Sequence, residues 1–411
     1  MHHRFRIDFP WGLGAQVLSS ATNVGLWVVS GRALGPSGLG VVSLGFATYL
    51  VAQGLQRALL TDPLMVSVAR RGDQETRVVL QYGFALALIS ALVFTTLITI
   101  VAVVAGGTFG HALLLFAPWV GAALVHDFWR WSLFGANRAQ TATATDGTRA
   151  VVMVLILPIA FWTRSDWVVV ASWGVGAFCA GALGWFKTGD APAGMAAAYA
   201  WWRVDGLPLG RWLAVESLVV LAGGLAVTFI VAAVLGTAEL GRLRAVDSIF
   251  APMTLLGQAL ELPGLPRLSR LWRLSPRAAR VSAARISGIA LALVTAYLII
   301  AFSLRGTITS AVFGSGFGHI DRLILPVALS EWFFAAGLGF FILLKASGRG
   351  RARLLSEIVL DATTICLVWM FASGGDIVSA AWGRTIGAAA GEVTATAAAM
   401  GSPARKEARA R

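Results

Sequence analysis

Charged side chains are scarce in this sequence. Only 13% of the 411 residues are Asp, Glu, Lys or Arg, whereas 57% are hydrophobic, and the mean hydropathy is +0.76. A water-soluble protein of this length needs many more polar side chains to cover its surface. The composition therefore excludes a soluble globular protein and predicts an all-α integral membrane protein.

Cysteine and histidine are also too few and too dispersed for disulfide or metal sites. Cys179 and Cys366 both fall inside apolar segments, where small core residues are expected rather than a disulfide or a ligand set. The five histidines are scattered, with no second ligand at metal spacing. We predict no metal site and no cofactor.

The usual signs of catalysis are absent from the sequence. No Gly-x-x-x-x-Gly-Lys-Ser/Thr loop occurs, which excludes ATP hydrolysis by that route. No long gap separates the apolar segments, so there is no room for the large extracytoplasmic loop expected of membrane polymerases, ligases or lipid-linked glycosyltransferases. We predict that the protein is not an enzyme and has no catalytic residues.

Twelve apolar segments dominate the chain. A helix needs about 20 apolar residues to cross a bilayer, because its backbone must satisfy its own hydrogen bonds in lipid. The first segment is already of spanning length, so no cleavable signal peptide is expected. The signal is weakest for the fifth and eighth segments. The predicted spans are residues 11–31, 39–60, 78–104, 112–134, 149–162, 167–186, 212–235, 246–262, 283–304, 323–344, 354–371 and 377–399.

Basic residues crowd into every second gap between these spans. The basic-rich gaps hold most of the 33 lysines and arginines, including Arg149 at the start of span five and six arginines between Arg267 and Arg285. Such gaps face the cytoplasm, so both termini are expected there. The net charge of +13 follows from this topology, and no nucleic-acid partner is expected.

The spans divide into two sets of six. A polar, Pro- and Gly-rich linker at residues 188–210 separates an N-lobe, residues 1–187, from a C-lobe, residues 211–400. Residues 401–411 form a basic tail that we expect in the cytoplasm.

The first hairpin of each lobe carries the same short motif. L-G-x-x-x-L-G occupies residues 34–40 between spans one and two and residues 235–241 between spans seven and eight. Matching hairpins after an even number of spans predict a parallel internal repeat, as found in some transporters.

Several of these segments resemble one transporter family. They are Gln16-x-x-Ser19-Ser20-x-x-Asn23, the hairpin from Arg32 to Gly40, Gly54 to Ala58 with Asp62-Pro63-Leu64, and Leu235 to Ala245 followed by Pro252. They are similar to the polysaccharide and O-antigen flippases of the multidrug/oligosaccharidyl-lipid/polysaccharide exporter superfamily. The resemblance implies a V-shaped bundle of two six-helix lobes around a hydrophilic cavity in the bacterial cytoplasmic membrane.

The same resemblance implies a substrate and partners. The substrate would be an undecaprenyl-diphosphate-linked oligosaccharide, moved from the inner to the outer leaflet by alternating access for cell-surface or exopolysaccharide biosynthesis. Polysaccharide polymerase or glycosyltransferases are further candidate partners. A cation-coupled multidrug or small-solute exporter is the main alternative. Such an exporter is expected to have an acidic residue buried in its first span, and residues 11–31 contain none. A peptidoglycan-precursor flippase is the other, although such relatives usually have fourteen spans.

Polar side chains on the first two spans form the leading candidate site. Tyr49, Gln53 and Arg57 recur every fourth residue and therefore share one helix face, while Gln16 and Asn23 lie on span one. A cation inside an apolar wall suits a diphosphate, and arginine offers two parallel donors. The neutral residues could equally serve as hydrogen bonds between helices.

Other charged residues inside spans are functional candidates by default. Arg130 could bind the diphosphate, or form an ion pair with Asp127 one turn earlier, which is the favoured interpretation. Arg384 is a second candidate for the diphosphate, with Asp361 as a proposed ionic partner.

Acidic residues in the C-lobe are candidates for ion coupling or buried pairing. Glu331 has no basic neighbour in its own span until Lys345, so it could bind a coupling ion or pair with an arginine of another helix. Glu357 lies one turn from Asp361 and belongs to the same group.

The stretch from Arg267 to Arg280 places its arginines three and four residues apart. On a helix they form one cationic face, which anchors the segment to anionic membrane lipids. Recruitment of the anionic lipid-linked sugar is the alternative.

Overall fold

The computed structural model is helical throughout the residues it describes, which are 2–68, 73–136, 138–189, 191–318 and 320–401. Two π-helical turns, Arg57–Thr61 and Trp202–Gly206, and one short 3-10 turn, Ser315–Phe317, interrupt the α-helices. The α-helices are α1 His2–Gln56, α2 Asp62–Val68, α3 Asp73–Ala105, α4 Gly107–Gly135, α5 Ala139–Thr163, α6 Asp166–Thr188, α7 Met195–Trp201, α8 Leu207–Val234, α9 Thr237–Leu274, α10 Pro276–Ser303, α11 Arg305–Phe313, α12 Asp321–Ala346, α13 Gly350–Ala372 and α14 Ile377–Met400.

The two copies of the L-G-x-x-x-L-G motif both turn the chain at their first glycine. Gly35 interrupts the long helix α1 with φ 72° and ψ −172°, and Gly236 has φ 89° between α8 and α9. Only glycine adopts positive φ without steric cost. Predicted spans one and two are therefore the two halves of α1, before and after Gly35.

The remaining predicted spans fall on α3 to α6, α8 to α10 and α12 to α14, with three departures. Predicted span eight, residues 246–262, covers only the middle of α9, which runs from Thr237 to Leu274. Predicted span five began at residue 149, whereas α5 begins ten residues earlier at Ala139. The predicted linker, residues 188–210, contains α7, a π turn and the first turn of α8. Of the described helices, eight are long and apolar enough to cross a membrane, or nine if the bent pair Met195–Val219 and Leu221–Val234 is one span.

The helices form two packed units, which differ from the predicted lobes in their limits. The first unit comprises Met1–Ala232 and Gly236–Ala245, and the second comprises Ala233–Leu235 and Val246–Arg411. This division follows contacts between helices and not the repeat, so the lobe boundary at residues 188–210 stays a prediction. Residues 402–411 of the predicted tail lie outside the described residues.

The first unit packs α1, α4, α5 and α6 against one another, with α3 against α4. Aromatic rings fill its centre: Trp173 lies 5.9 Å from Phe46, 5.0 Å from Tyr49 and 5.5 Å from Phe116, measured between ring centroids. These edge-to-face and tilted contacts fix the facing sides of α1, α4 and α6.

The second unit packs α14 against α12 and α13, and α12 against α10. Its core contains Leu338, Ile342 and Leu343 of α12 with Ala283 and Ala290 of α10. Small residues on α10 let the two helices approach closely, as is common in membrane bundles.

The outer surface of these units is apolar. Val104, Leu155 and Phe186 are 81%, 69% and 76% exposed. Exposed apolar side chains in such numbers, on helices of spanning length, indicate contact with lipid rather than water.

Candidate functional site

Three predicted site residues lie at the end of α1 and at the start of the π turn that follows it. Tyr49 is buried, while Gln53 and Arg57 are half-buried on the same face. At Arg57 the α-helix gives way to a π turn, a feature that is frequent at functional sites of helical proteins.

Arg57 forms a bidentate ion pair with Asp127 of α4. Its Nε donates to Asp127 Oδ2 at 2.7 Å, and its Nη2 donates to Oδ1. Gln53 Nε2 also donates to Asp127 Oδ1, at 3.0 Å, and to the hydroxyl oxygen of Tyr49 at 2.6 Å. Asp127 is 3% exposed, so these donors replace the water that its charge requires.

The predicted pair between Asp127 and Arg130 on α4 is wrong. Arg130 turns instead to Asp146 of α5, with 2.7 Å between Nε and Oδ2, and donates through Nη2 to Gln16 Oε1 at 3.1 Å. His126 Nε2 lies 3.5 Å from the other oxygen of Asp146. Interhelical pairing satisfies both buried carboxylates better than a contact along one helix, because each aspartate faces a neighbouring helix.

Arg149 of α5 is the third arginine of this region and lacks an anion. It is 6% exposed, and among the described residues no carboxylate lies within ion-pair distance. Its Nη2 lies 3.4 Å from Asn23 Oδ1, a long hydrogen bond, and its Nε has no partner. The prediction that Arg149 belongs to a cytoplasmic gap is wrong, because α5 begins at Ala139 and carries Arg149 into the bundle.

Each of the three guanidinium groups makes a cation–π contact with a tryptophan ring. Trp131 lies 5.1 Å from Arg57 Cζ and 5.5 Å from Arg130 Cζ, and Trp173 lies 5.1 Å from Arg149 Cζ, measured to the ring centroids. A cation over an indole face is stabilised by the ring quadrupole, more so when water is excluded.

We call this assembly the N-unit polar cluster. It contains three arginines but only two aspartates, so it carries an excess positive charge whether or not His126 is protonated. A buried cation without an anion is costly in a membrane protein and is the property expected of an anion-binding site. The cluster consists of Gln16, Asn23, Tyr49, Gln53, Arg57, His126, Asp127, Arg130, Asp146 and Arg149.

Arg384, the remaining predicted diphosphate ligand, lies in the second unit. Its Nη1 donates to Asp247 Oδ1 of α9 at 2.6 Å, and its Nη2 lies 3.7 Å from Glu331 Oε1 of α12. The predicted pair with Asp361 is therefore wrong. Of the two possibilities left open for Glu331, the structure shows the ionic contact with an arginine of another helix.

Glu357 contacts Arg353 one turn earlier on α13, at 3.9 Å. This long ion pair is half-buried and adds little to stability. The roles of Glu357, Asp361 and Glu331 in ion coupling stay predictions. Among the residues that the structure describes, no group of three or more His, Cys, Asp or Glu could hold a metal ion.

Sequence reasoning missed three charged residues of these networks. Asp146 and Arg149 stand three residues apart in α5, and Asp247 stands at the start of α9's apolar stretch. Asp146 and Arg149 share one helix face by their spacing, which was an available signal. Asp247 lies inside predicted span eight, residues 246–262, and a charged residue inside a span was also an available signal.

No protein-family model matches this chain, and no curated protein matches its sequence. Solved structures do match. A structure described as lipid II flippase MurJ in an inward closed conformation superposes with a TM-score of 0.73 at 9% identity, covering 93% of this chain and 85% of that one.

Two transporters of the MOP superfamily also match along most of their length. An inward-facing multidrug resistance transporter of the MATE family gives a TM-score of 0.70 at 13% identity, covering 97% and 95% of the two chains. A Pyrococcus furiosus transporter, described as having a binding pocket of reverse polarity, gives 0.62 at 15% identity, covering 96% and 93%. The chain therefore has the two-lobe, all-helical fold of about twelve helices that multi-pass membrane transporters of the MOP superfamily share.

Proposed function

We propose that this protein flips an undecaprenyl-diphosphate-linked oligosaccharide from the inner to the outer leaflet of the bacterial cytoplasmic membrane by alternating access. The fold supports transport, since the structures that match it are described as flippases and multidrug transporters. The N-unit polar cluster supports an anionic substrate.

The proposal rests on Arg149, a buried arginine with no anionic partner among the described residues. Arg57 and Arg130 are each neutralised by an aspartate, so neither needs a ligand to balance its charge. Arg149 has only Asn23 and the face of Trp173 as partners among the described residues. A phosphate oxygen next to Arg149 would balance its charge with two parallel hydrogen bonds.

In this proposal the neighbouring ion pair between Arg57 and Asp127 can also separate, so that Arg57 binds a diphosphate. Arg57 is the most exposed arginine of the cluster, with a side chain that is 31% exposed, and Gln53 already donates to the same carboxylate. A diphosphate could thus exchange with Asp127 at Arg57 while Gln53 holds Asp127 in place.

The membrane potential supplies a driving force of the right sign. An inside-negative potential of about 100 mV favours outward movement of each negative charge by about 2.3 kcal/mol. A headgroup with about two negative charges would gain roughly 5 kcal/mol without ATP.

Substitution of Arg149 tests the proposal. In a strain that lacks its polysaccharide flippase, the wild-type gene should restore export, Arg149→Ala should not, and Arg149→Lys should restore it in part. The matched control is Arg351→Ala, which removes an exposed arginine at the start of α13. Normal export by Arg149→Ala at normal membrane levels would contradict the proposal.

The same strains separate the two alternatives. A cation-coupled exporter would confer drug resistance without restoring polysaccharide export. A peptidoglycan-precursor flippase would instead rescue cells depleted of their own precursor flippase. The second unit offers Arg384 with two acids, Asp247 and Glu331, and this excess of acid is the feature that favours cation coupling.

Orientation in the membrane is part of the proposal. Reporter fusions after Arg277 and Arg351 should face the cytoplasm, and fusions at Gly107 and Gly375 should face outward. An external reading at Arg277 would overturn the assignment of both termini to the cytoplasm.

A further inference from the structure

An open, basic hollow lies beside the turn between α9 and α10 in the second unit. Its volume is about 460 Å³, and it lies between the last turns of α9 and the first turns of α10. We call it the α9–α10 pocket. It is lined by Arg267, Leu271, Ser275, Arg277, Ala278, Val281, Ser282 and Arg285.

The three arginines of the pocket have no anionic partner within the described part of the chain. All three are exposed, and none takes part in an ion pair there. The sequence explains this, because no Asp or Glu occurs between Glu261 and Asp321. Three guanidinium groups around one hollow therefore create a positive potential that attracts an anion.

The start of α10 adds to this potential. Ser275 caps the helix, with its hydroxyl accepting from the backbone N–H of Ala278 at 3.3 Å, and Arg277 and Val281 follow one turn apart. The amino end of a helix carries a partial positive charge and favours anions such as phosphate.

Apolar side chains beside the arginines point to a lipid rather than a soluble anion. Val281 on the pocket wall is 48% exposed, and Leu274, at the end of α9, is 83% exposed. A soluble polyanion gains nothing from these side chains, whereas a phospholipid can place its acyl chains against them while the arginines hold its phosphate.

We propose that the α9–α10 pocket binds the phosphate headgroup of an anionic membrane phospholipid. The pocket shares no residue with the N-unit polar cluster. Guanidinium groups on both helices would clamp one headgroup and hold the turn between α9 and α10 at the membrane surface.

Lipid binding to the purified full-length chain tests this proposal. In a non-ionic detergent, native mass spectrometry would measure binding of phosphatidylglycerol, with phosphatidylcholine as the neutral comparison. We expect clear preference for phosphatidylglycerol. A triple variant, Arg267→Gln, Arg277→Gln and Arg285→Gln, should bind about a hundredfold more weakly, since each arginine near an anionic lipid contributes about fivefold.

The control variant keeps the net charge of the triple variant. Arg164→Gln, Arg305→Gln and Arg322→Gln removes three exposed arginines that lie outside α9 and α10 and do not line the pocket. Its affinity should stay within about threefold of the wild type, because only distant charge is lost. Equal weakening in both triple variants would overturn the proposal, since binding would then follow total charge.

Two further measurements complete the test. Inorganic phosphate and pyrophosphate should fail to displace phosphatidylglycerol, whereas displacement at equal concentration would show a site for soluble anions and overturn the proposal. If the pocket triple variant cannot be purified, Arg285→Gln alone should weaken binding about fivefold. An unchanged affinity in that single variant would also overturn it.

Discussion

Asp127, in the last third of α4, accepts hydrogen bonds from both Gln53 and Arg57 and so holds the end of α1 against α4. The distances are 3.0 Å from Gln53 Nε2 and 2.7 Å from Arg57 Nε. The two donors stand four residues apart, Gln53 in the last turn of α1 and Arg57 at the start of the π turn that follows it. One carboxylate thus fixes the rotamers of both candidate ligands and keeps their helix face turned towards α4.

Removal of Arg57 should affect stability and transport differently. Arg57→Ala leaves the buried Asp127 without its counter-charge and with two hydrogen bonds fewer, which should lower stability by about 3 kcal/mol. Polysaccharide export should be lost, and Arg57→Lys should be intermediate, because lysine keeps the charge but not the two parallel donors. Complementation of a flippase-deficient strain measures export, and thermal unfolding in detergent measures stability.

A double variant separates the two effects. Arg57→Met with Asp127→Leu removes both charges and should recover part of the stability that Arg57→Ala loses, because Asp127 is then no longer left as an unpaired buried charge. It should still fail to export. Export that simply follows the amount of protein in the membrane, across all three variants, would contradict a role for Arg57 in transport.

The sequence predicted the helices well because long apolar runs determine them locally. The polar face of Tyr49, Gln53 and Arg57 could also be predicted, since its spacing depends on one helix alone. Its ionic partner could not. Asp127 is 70 residues away from Arg57, and their contact depends on how α1 packs against α4.

Arg149 shows a second limit of sequence reasoning. Basic residues near the end of an apolar segment are normally assigned to a cytoplasmic loop. The polar stretch from Ala139 to Thr148 nevertheless continues the helix, and its Thr143 and Asp146 face other helices of the first unit. Hydropathy does not detect a polar helix segment that is buried inside a bundle.

The cap of α14 gives a pH-dependent prediction outside the spans. Asp376 accepts hydrogen bonds from the Ser379 hydroxyl at 2.7 Å and from the backbone N–H groups of Val378 and Ser379, both at 3.0 Å. These hydrogen bonds, of which the one from the Ser379 hydroxyl has the largest effect, hold the pKa of Asp376 below its usual value. The cap therefore stabilises α14 at neutral pH and loses its charge-dependent part as the pH falls below about 4.

Asp376→Ala should lower the stability of the protein by about 1 kcal/mol at pH 7, the usual effect of losing an N-cap. Asp376→Asn should retain most of the cap, because asparagine also accepts hydrogen bonds from the backbone. Thermal unfolding at pH 7 and pH 3 would show the difference between aspartate and asparagine shrinking in acid. A constant difference would mean that the charge of Asp376 has no part in the cap.

Close backbone contact at the repeat motif gives a steric prediction. A Cβ atom on Gly241 would collide with the backbone carbonyl of Pro36 and would lie 3.0 Å from the backbone nitrogen of Gly40. Backbone atoms cannot move aside as a side chain can, so Gly241→Ala should lower stability by about 1 to 3 kcal/mol. Gly288→Ala on α10 is the control, because nothing lies within 4 Å of its Cβ position. Equal melting temperatures for the two variants would rule out this contact.

Neutralising Asp247 should destabilise the protein more than neutralising Glu331, the other acid next to Arg384. Asp247 Oδ1 lies 2.6 Å from Nη1 of Arg384, whereas Glu331 Oε1 lies 3.7 Å from Nη2. Asp247→Asn removes the shorter and stronger contact, so it should destabilise the protein by about 2 kcal/mol, against about 1 kcal/mol or less for Glu331→Gln. Thermal unfolding in detergent measures both, with Glu261→Gln as the control for an exposed pair, the one with Lys345.

Transport measurements on the same variants distinguish pairing from ion coupling at Glu331. If Glu331 only balances Arg384, Glu331→Gln should transport at nearly the wild-type rate at every external pH, because Asp247 still neutralises the arginine. If Glu331 binds a coupling ion, Glu331→Gln should keep its fold but lose the dependence of transport on a proton or sodium gradient. Since Asp247 alone satisfies Arg384 at 2.6 Å, we expect Glu331→Gln to fold normally, and unfolding of this variant would show that both acids are needed to hold Arg384 in place.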